Sequence, residues 1–540
     1  MMGTGRAFTN LGAVLMLALL APACGGGGGG RSSESSKAAS NAVFDDATFA
    51  TYTLTISDLD WTYIQNGDKD TWRTADLTWQ GETVTKVAVR AANSPPAATF
   101  KPSIRFKFDE FVPDRKWRSL NHLNLDSMVD DKTFLRERIG LWTHRMTGVP
   151  APRSVHARLV VNGNSLGVYE VREEVRKAFA EYHWGNNDGN LYEIQKNETV
   201  VGFDSYAWRG SDPATYVPSI WEPKTNETGG VYGDVVALLD VFNNAPAASR
   251  RAQLDTLIDL SDFLAYLAVS TAIADPDGLT GEKGPNNHYW YHREDNNTME
   301  IVAWDPDKSL GYPQLDGVFN ANFGLWTRFS QSAATSWIQA EATASTTYQN
   351  KVRKVFDEAF SVIGIQIDYV YNQIKDAVYL DPYKPMTDAE FDQAPAKLKQ
   401  WIDNRRAYLD TVLPARPSPL AGDNAGFVSQ SGVPTSMSAG QTVTVSITMT
   451  NTGTTTWTEA GEYKLTSRAN RNNLLWGDNR IKVPAGTSIA PGASFTFTFP
   501  IVAPRVPGTY NFQWSMVNDS FGGGGAVFGA TSPLIAVLVN

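Results

Sequence analysis

Oxygen-bearing side chains are concentrated in one short stretch of the chain, residues 274–311. Asp277 follows the end of a predicted helix, and Asn287 opens a predicted strand. Asp305 and Asp307 follow a second predicted strand, so all four side chains lie on loops. Such groups bind Mg²⁺, and a further carboxylate can orient an acceptor hydroxyl, which together is what phosphoryl transfer from a nucleotide requires. Asp-Pro-Asp and Asp-Gly are also common turn sequences, and Ca²⁺ accepts the same oxygens, so the residues alone leave turns and a calcium site open.

Other catalytic chemistries lack their motifs in this sequence. It has no Walker-A motif, no His-Glu-x-x-His and no Gly-x-Ser-x-Gly, and its six histidines show no ligand spacing. The one cysteine, Cys24, excludes intramolecular disulfides and multi-cysteine zinc sites. With 47 basic and 57 acidic residues the formal net charge is −10, which argues against nucleic acid as a partner because phosphates require a basic surface.

The N-terminus, residues 1–24, has the pattern of a bacterial lipoprotein signal peptide. Arg6 precedes an apolar run at 11–20, and small residues lead to Cys24. The run is shorter than the roughly 20 residues that a membrane-spanning helix needs. Residues 25–43, rich in glycine and serine, are predicted to be a flexible linker. We therefore expect a protein lipid-anchored at Cys24 in the cell envelope, at the outer membrane or cell surface, the alternative being a leftover signal-peptide cysteine.

The length of 540 residues exceeds what one hydrophobic core supports, so at least two domains are expected. The first region, 44–414, mixes strands at 86–90, 103–108 and 157–161 with later helices. Ser261-Asp262 is predicted to cap a helix that runs toward Ala274, and two more helices are predicted at 348–378 and 394–413. Strands first and helices later indicate an α+β domain.

The pattern changes after a second linker, residues 415–427. Residues 428–540 contain short alternating segments at 442–450, 463–467, 494–499 and 509–516, separated by glycine-rich turns. This spacing, with almost no helical periodicity, predicts an all-β immunoglobulin-like sandwich.

The first region resembles the CotH (spore-coat protein H) kinase family over about residues 44–413, through motifs that occur in the family's order. In chain order the matches are Lys101-Pro102-Ser103 with Lys107-Phe108-Asp109, Leu120-Asn121 with Asn124-Leu125, Phe134-Leu135-Arg136-Glu137, Gly148-Val149-Pro150-Ala151-Pro152-Arg153, Asn162-Gly163 with Gly167-Val168-Tyr169 and Glu173, Gly189-Asn190-Leu191-Tyr192, Asp277, Asn287, Trp304-Asp305-x-Asp307, and Leu398-Lys399 with Arg405-Arg406-Ala407-Tyr408-Leu409.

The resemblance implies an atypical protein-kinase-like fold that uses ATP with Mg²⁺ or Mn²⁺. It implies that Asp277 orients the acceptor hydroxyl as general base and that Asp305 binds the metal. Asn287 and Asp307 are implied to complete the oxygen shell of that metal. It also implies that Lys101 or Lys107 contacts the nucleotide phosphates, held by Glu173 in an ion pair; a surface strand lysine is the alternative for either.

Two departures from the family pattern bear on activity. Residues 279–285 lengthen the segment between Asp277 and Asn287, and Glu193 stands where the family has a lysine. An inactive pseudokinase is therefore an alternative to an active enzyme.

The C-terminal region resembles the four-tryptophan (Ig-like) domain of autophagy receptors and its bacterial relatives. The resemblance lies in Asn451-Thr452-Gly453, Pro491-Gly492, Pro507-Gly508-Thr509-Tyr510 and the tryptophans Trp457, Trp476 and Trp514, with Phe528 in place of the fourth. We expect these rings to form the core and the domain to be a spacer or protein-binding module.

Together these features predict an extracytoplasmic, lipid-anchored kinase that phosphorylates Ser or Thr of exported or surface proteins. Two rivals remain: a catalytically inactive surface adhesion or scaffold protein, and a Ca²⁺-stabilised binding module.

Overall fold

The computed structural model describes residues 30–93, 101–194, 204–282, 284–313, 317–520 and 524–540, with side chains from residue 37 onward. The predicted signal peptide and Cys24 lie outside these residues. Within the described residues, no helix combines the length and the apolar character that crossing a bilayer requires.

The described residues form ten α-helices. They are α1 (Gly30–Val43), α2 (Asp58–Gln65), α3 (Arg136–Met146), α4 (Lys177–Trp184), α5 (Gly233–Asn244), α6 (Ala247–Leu254), α7 (Leu260–Ala272), α8 (Ala342–Lys354), α9 (Phe360–Tyr379) and α10 (Asp388–Val412).

The strands fall into two groups, eleven before α8 and twelve after α10 in the described residues. The first group is β1 (Ala50–Ile56), β2 (Arg73–Trp79), β3 (Glu82–Ala91), β4 (Ile104–Lys107), β5 (His122–Asp126), β6 (Ser154–Val161), β7 (Asn164–Arg172), β8 (Asn190–Ile194), β9 (Trp221–Pro223), β10 (His288–Arg293) and β11 (Thr298–Ala303). The second is β12 (Ala425–Ser431), β13 (Ser436–Met437), β14 (Thr442–Asn451), β15 (Trp457–Thr458), β16 (Tyr463–Ser467), β17 (Arg480–Lys482), β18 (Ser488–Ile489), β19 (Ser494–Val502), β20 (Gly508–Phe512), β21 (Trp514–Asn518), β22 (Ala526–Phe528) and β23 (Ile535–Val539).

The first seven strands form a closed barrel in the order β1-β2-β3-β4-β5-β7-β6. A parallel pairing of β1 with β6 closes it, and the remaining pairs are antiparallel. Alternate residues point inward, so Leu54, Phe106, Leu123 and Leu159 share one core. Because the barrel is closed, its strands have no unpaired edge. It therefore provides a rigid surface on which neighbouring elements pack.

The β6–β7 hairpin turns on Asn162 and Gly163, which have φ angles of 49° and 82°. Two consecutive positive φ values define the type I′ turn that Asn-Gly favours. The Asn162 side chain also accepts a hydrogen bond from the Ile56 N–H (3.0 Å) and donates one to the Ile56 carbonyl (2.8 Å). This turn therefore fixes the register of β7 against β6 and ties the hairpin to the end of β1.

Substituting Gly163→Ala should destabilise the protein by about 1–2 kcal/mol, because a Cβ at positive φ approaches the following carbonyl. A Cβ there would meet no atom within 4 Å, so the effect is purely conformational. Gly233→Ala is the matched control, since that Cβ also meets open space but the backbone has no positive φ. Urea denaturation of both variants measures the difference, and equal midpoints would contradict the turn assignment.

A second sheet, in the order β11-β10-β8-β9, lies beyond the barrel and is followed by the helical half of the domain. Helix α7 is buried along its length and packs on α8 and β11. The predicted cap at Ser261-Asp262 is wrong, because the Asp259 side chain accepts from the Asp262 N–H at 2.8 Å and starts the helix earlier.

Two further helix predictions need correction. The predicted helix at 348–378 is two helices, α8 and α9, which a π-helical turn at Val355–Ala359 separates. Helix α10 starts before the predicted residue 394, because Thr387 and Glu390 form a reciprocal capping box. The predicted linker at 25–43 is helical from Gly30, and Ser40 and Val43 are buried, so its second half is folded rather than extended.

The C-terminal domain is a sandwich of short sheets with a single apolar core. Its larger sheets run β12-β14-β19, β13-β23-β20 and β17-β16-β21-β22. Trp457, Trp476, Trp514 and Phe528 are all buried in this core, which confirms their expected structural role. The domain therefore offers none of these rings to a ligand.

Candidate functional site

The four oxygen-bearing residues of the sequence cluster lie on two neighbouring loops. Strands β10 and β11 pair His288 with Ala303, which places Asn287 beside the loop that follows β11. The Asn287 amide donates to the Asp305 carbonyl at 3.4 Å. The Asn286 amide donates to Asn287 Oδ1 at 3.0 Å and to Asp277 Oδ1 at 3.4 Å. A line of amides thus connects Asp277 to Asp305.

Asp305 is held by an arginine that the sequence did not single out. Arg172, the last residue of β7, donates to Asp305 Oδ1 at 2.8 Å and to Asp126 Oδ2 at 2.9 Å. It also forms a short ion pair with Glu137 of α3. Burial alone would lower the pKa of the Arg172 guanidinium, but these three carboxylates raise it well above its ordinary value. Arg172 therefore stays charged and joins the barrel, α3 and the β11 loop.

The surroundings of the Asp307 carboxylate favour a bound cation. Its Oδ1 is buried and has no hydrogen-bond partner among the described residues. Burial and the neighbouring Asp305 raise the pKa of Asp307 well above its ordinary value. A buried, unpaired carboxylate oxygen is costly unless a proton or a metal ion satisfies it, so Asp305 and Asp307 suit a divalent metal.

The predicted metal residues do not form a closed cage of carboxylates. In the part of the chain that the structure describes, three carboxylates with oxygens all within 4.8 Å of one another occur elsewhere, at Asp259, Asp262 and Glu300. Mg²⁺ is usually held by one or two carboxylates together with waters and substrate phosphates. An open pair of aspartates fits that mode of binding.

Asp277 lies between a lysine and a buried carboxyl group. Lys308 donates to Asp277 Oδ2 at 3.0 Å, and the Asp277 N–H donates to Asp275 Oδ1 at 3.0 Å. Burial would lower the pKa of Lys308, but Asp307 and Asp277 raise it overall. Burial also raises the pKa of Asp275 to about 7. The Lys308 ammonium is thus a cation shared between the predicted base and the predicted metal site.

A cleft of about 280 Å³ opens beside this cluster, between the barrel and the second sheet. Its lining residues are Arg105, Asn124, Glu174, Val175, Arg176, Glu193, Lys224, Tyr289 and Trp304. Trp304 directly precedes Asp305, and the Arg172 guanidinium lies 5.0 Å from its ring centroid. Trp304 and Arg172 therefore connect the cleft to the carboxylate cluster.

The expected ion pair of a lysine with Glu173 is wrong. Glu173 is buried and pairs with Arg153, which donates to it through Nη2 at 2.6 Å. Lys101 is fully buried, donates to Asp381 Oδ2 at 2.9 Å and to the Val168 carbonyl at 2.7 Å, and so fastens the loop after α9 to β7.

Lys107, the other lysine proposed for phosphate binding, pairs with Glu110 at 2.6 Å on a partly exposed surface. Neither lysine lines the cleft, whereas Arg105 of the same strand does. The two lysines were wrong choices because Lys101 precedes the strand and pairs with Asp381, while Lys107 at the end of the strand pairs with Glu110.

The charge reversal at Glu193 is compensated within the fold. Lys224, which follows β9, places its ammonium 2.6 Å from Glu193 and 2.7 Å from Glu222. Both Lys224 and Glu193 line the cleft. A cation is thus present where the family has a lysine, but it is delivered by the neighbouring strand.

The described residues of the added segment, 279–282 and 284–285, lie beside Asp277. The Glu282 N–H donates to the Pro276 carbonyl at 2.7 Å, and Arg328 Nε donates to the Gly281 carbonyl at 2.9 Å. Lys283 lies outside the described residues. Gly281 and Glu282 of the insert are therefore anchored to Arg328 and Pro276, and the hydrogen bonds of Asp277 remain in place.

Sequence reasoning missed Arg172, Glu137 and Lys308. Glu137 stood in the Phe-Leu-Arg-Glu motif, and Lys308 directly follows Asp307, so adjacency to motif residues was the available signal. Arg172 had no local signal, because its three partners come from distant parts of the chain.

Comparison with known proteins places this geometry in a family. The family model described as CotH kinase protein matches residues 97–409, more than half of the chain. The chain belongs to the CotH kinase family. The inner spore coat protein H of Bacillus subtilis is 23% identical over 307 residues, covering 55% of this chain and 80% of that protein. Residues 432–531 match the Ig-like domain from next to BRCA1 gene.

Two further similarities are more limited. The invasin CotH2 of Rhizopus delemar is 23% identical over 211 residues, covering 38% of this chain and 32% of that protein. A Pseudomonas fluorescens alkylpurine DNA glycosylase AlkC, bound to DNA with an abasic site analog, aligns over 57% of this chain and 77% of that one, at 11% identity and a TM-score of 0.19. A TM-score of 0.19 does not indicate a shared fold. The match to the CotH model, by contrast, covers barrel strands β4 to β7, the cleft and the carboxylate loops. The roles of Asp277, Asn287, Asp305 and Asp307 stay predictions.

Proposed function

We propose that this CotH protein is a lipid-anchored, extracytoplasmic kinase that transfers the γ-phosphoryl group of ATP to Ser or Thr of exported or surface proteins, within an atypical protein-kinase-like fold. The observation that carries the proposal is the buried Asp307 oxygen that has no hydrogen-bond partner among the described residues, on the loop that follows the cleft residue Trp304. Phosphoryl transfer relies on charge neutralisation and positioning, and this corner of the fold supplies both signs of charge.

In this proposal the adenine base packs against Trp304, which lines the cleft and directly precedes Asp305. The triphosphate then runs from Trp304 toward Asp305. Mg²⁺ or Mn²⁺, held by Asp305 and Asp307 with the Asn287 amide nearby, neutralises phosphate charge when it is bound. Arg172 and Lys308 take the place proposed from sequence for Lys101 and Lys107, because their cationic groups lie at the carboxylate cluster.

The transfer step uses Asp277. Its carboxylate orients the acceptor hydroxyl and accepts its proton as the hydroxyl oxygen bonds to the γ-phosphorus. The bond from that phosphorus to the β,γ-bridging oxygen breaks, and its electron pair leaves with ADP. Lys308 donates to Asp277 Oδ2 at 3.0 Å and so orients the carboxylate that accepts the proton.

The partners follow from location. Anchoring at Cys24 would place the kinase domain where exported and surface proteins pass, with the membrane as its second partner and no role for nucleic acid. The name of the Bacillus subtilis relative, a spore coat protein, and that of the Rhizopus delemar relative, an invasin, both support a surface location.

Incubation of the purified soluble chain with γ-labelled ATP tests the proposal. We expect label on the chain itself or on envelope proteins with Mg²⁺ or Mn²⁺, and none after chelation of the metal. No label with either metal, together with no nucleotide binding, would overturn it.

Trp304→Leu should weaken ATP binding about tenfold, or ~1.4 kcal/mol, because it removes a flat aromatic wall while keeping an apolar side chain. Trp208→Leu, a partly buried tryptophan that does not line the cleft, is the control and should leave binding unchanged. Calorimetric titration with Mg-ATP measures both. Equal affinity of the two variants for ATP would show that the adenine base does not bind beside Trp304.

The second candidate is a binding scaffold without catalysis, which the similarity to an invasin favours. It predicts that Mg-ATP leaves the melting temperature unchanged, whereas tight binding to the folded state raises it. A rise with Ca²⁺ alone would instead support the Ca²⁺-stabilised binding module.

A further inference from the structure

The C-terminal sandwich is docked on the kinase domain through charged contacts. Arg416, in the connection between the domains, donates to Asp357 Oδ1 at 2.6 Å. Asn472 of the sandwich donates to Asp357 Oδ2 at 3.0 Å, and the Leu474 N–H donates to Ser361 Oγ at 3.1 Å. Asp357 is buried, so this end of the interface is fixed to the π-helical turn before α9.

A second contact reaches a different part of the kinase domain. Arg505, in the loop between β19 and β20 of the sandwich, donates to Asp46 Oδ2 at 3.0 Å. The other oxygen of Asp46 accepts from Arg138 of α3 at 2.5 Å. Burial would raise the pKa of Asp46, but Arg138 and Arg505 outweigh it and hold that pKa below its ordinary value. One carboxylate thus joins two arginines from two domains.

Helix α9 fixes this bridge from the side. The Asp46 carbonyl accepts from Tyr369 Oη at 3.1 Å and from Gln373 Nε2 at 2.9 Å. Gln373 Oε1 in turn accepts from Arg138 at 2.9 Å. The Arg505 guanidinium lies 5.4 Å from the Tyr369 ring centroid. Tyr369 and Gln373 of α9 therefore help to orient both arginines that pair with Asp46.

The bridge ends one residue from the carboxylate cluster. Arg138 follows Glu137, and Glu137 pairs with Arg172, which holds Asp305 at 2.8 Å. Successive residues of a helix point about 100° apart, so α3 faces the sandwich bridge with one side chain and the candidate metal site with the next. A rotation or shift of α3 would move both contacts together.

We propose that Arg505 is a positioning residue for the kinase site: through Asp46 and Arg138 the sandwich holds α3 in the orientation that keeps Glu137 and Arg172 on Asp305. The sandwich is then a part of the enzyme that sets its activity, as well as a spacer or binding module. The rate readout rests on the proposed kinase function, whereas the position of α3 can be measured without it.

Amide hydrogen exchange of the full soluble chain tests the position of α3 directly. Arg505→Ala should speed exchange of residues 136–146 about tenfold, because Asp46 then loses the sandwich arginine that holds it against Arg138 of the helix. Arg416→Ala removes the other arginine of the same interface and is the matched control, which should leave these amides unchanged. Unchanged exchange in Arg505→Ala, or an equal change in both variants, would overturn the proposal.

Enzyme kinetics provide the second readout. Arg505→Ala should lower kcat about tenfold with a smaller change in the KM for ATP, and Arg505→Lys should recover most of the loss. In an Asp46→Asn background the Arg505→Ala change should have no further effect, since both act through one bridge. Additive losses would overturn the bridge. A wild-type chain without transfer activity would refute the proposed function, while hydrogen exchange would still decide the role of Arg505.

Discussion

Asp305→Asn is expected to lower the rate of metal-dependent phosphoryl transfer by about 10³-fold or more, the equivalent of ~4 kcal/mol of transition-state stabilisation. The change removes the negative charge of the proposed metal ligand and little else. Asparagine has the same shape, tolerates the φ of 53° at this position, and keeps an oxygen that can accept from Arg172. Single-turnover transfer from labelled ATP, with Mg²⁺ titrated, measures the loss.

Asp295→Asn is the matched control for this variant. Asp295 lies in the β10–β11 turn, pairs with Arg293 at 2.7 Å and is partly exposed, away from the cleft. We expect its transfer rate to equal that of the wild type and both variants to unfold at the wild-type denaturant concentration. An Asp305→Asn protein that retains transfer within tenfold would remove Asp305 from the metal site.

Arg172→Met is expected to destabilise the kinase domain by about 3–5 kcal/mol, because it leaves three carboxylates without their common cation. Those carboxylates are Glu137, Asp126 and Asp305, each from a different element. Methionine preserves much of the buried side-chain volume, so the loss reflects charge rather than a cavity. Urea denaturation followed by tryptophan fluorescence measures the free energy of unfolding.

Two comparisons make this prediction specific. Arg251→Met breaks an exposed pair with Asp255 on α6 and should cost no more than about 0.5 kcal/mol. Glu137→Gln should cost less in the Arg172→Met background than alone, since it then removes an orphaned charge. An Arg172→Met protein as stable as Arg251→Met would show that the three carboxylates do not depend on Arg172.

The sequence predicted the carboxylate loops well, because short-range patterns determine them. The mostly apolar segment at 299–304 predicts a strand and Asp275 starts a turn, so Asp305 and Asp277 were expected on the loops where the structure has them. The C-terminal sandwich was equally predictable from the sequence, since strand alternation and turn spacing are local signals. Family membership was visible for the same reason, as its motifs occur in order along the chain.

The partners of the charged residues could not be predicted in this way. Lys101 forms an ion pair with Asp381, which lies far along the chain, and Glu173 forms one with Arg153 across the β6–β7 pair. Such pairings depend on which faces of the barrel and helices meet, and sequence spacing does not record that. The Arg505–Asp46–Arg138 bridge is the extreme case, because it joins two domains through residues that belong to no motif.

Transfer of heavy-isotope phosphate tests the central claim most directly. The purified soluble chain would be incubated with envelope proteins and ATP that carries ¹⁸O in its γ-phosphoryl group, and mass spectrometry would locate the labelled phosphate. The wild type is expected to place ¹⁸O-phosphate on Ser or Thr, and Asp277→Asn, which keeps the size of the side chain but removes the base, is expected to place none. Absence of labelled Ser or Thr with the wild type, or equal labelling by Asp277→Asn, would contradict the account.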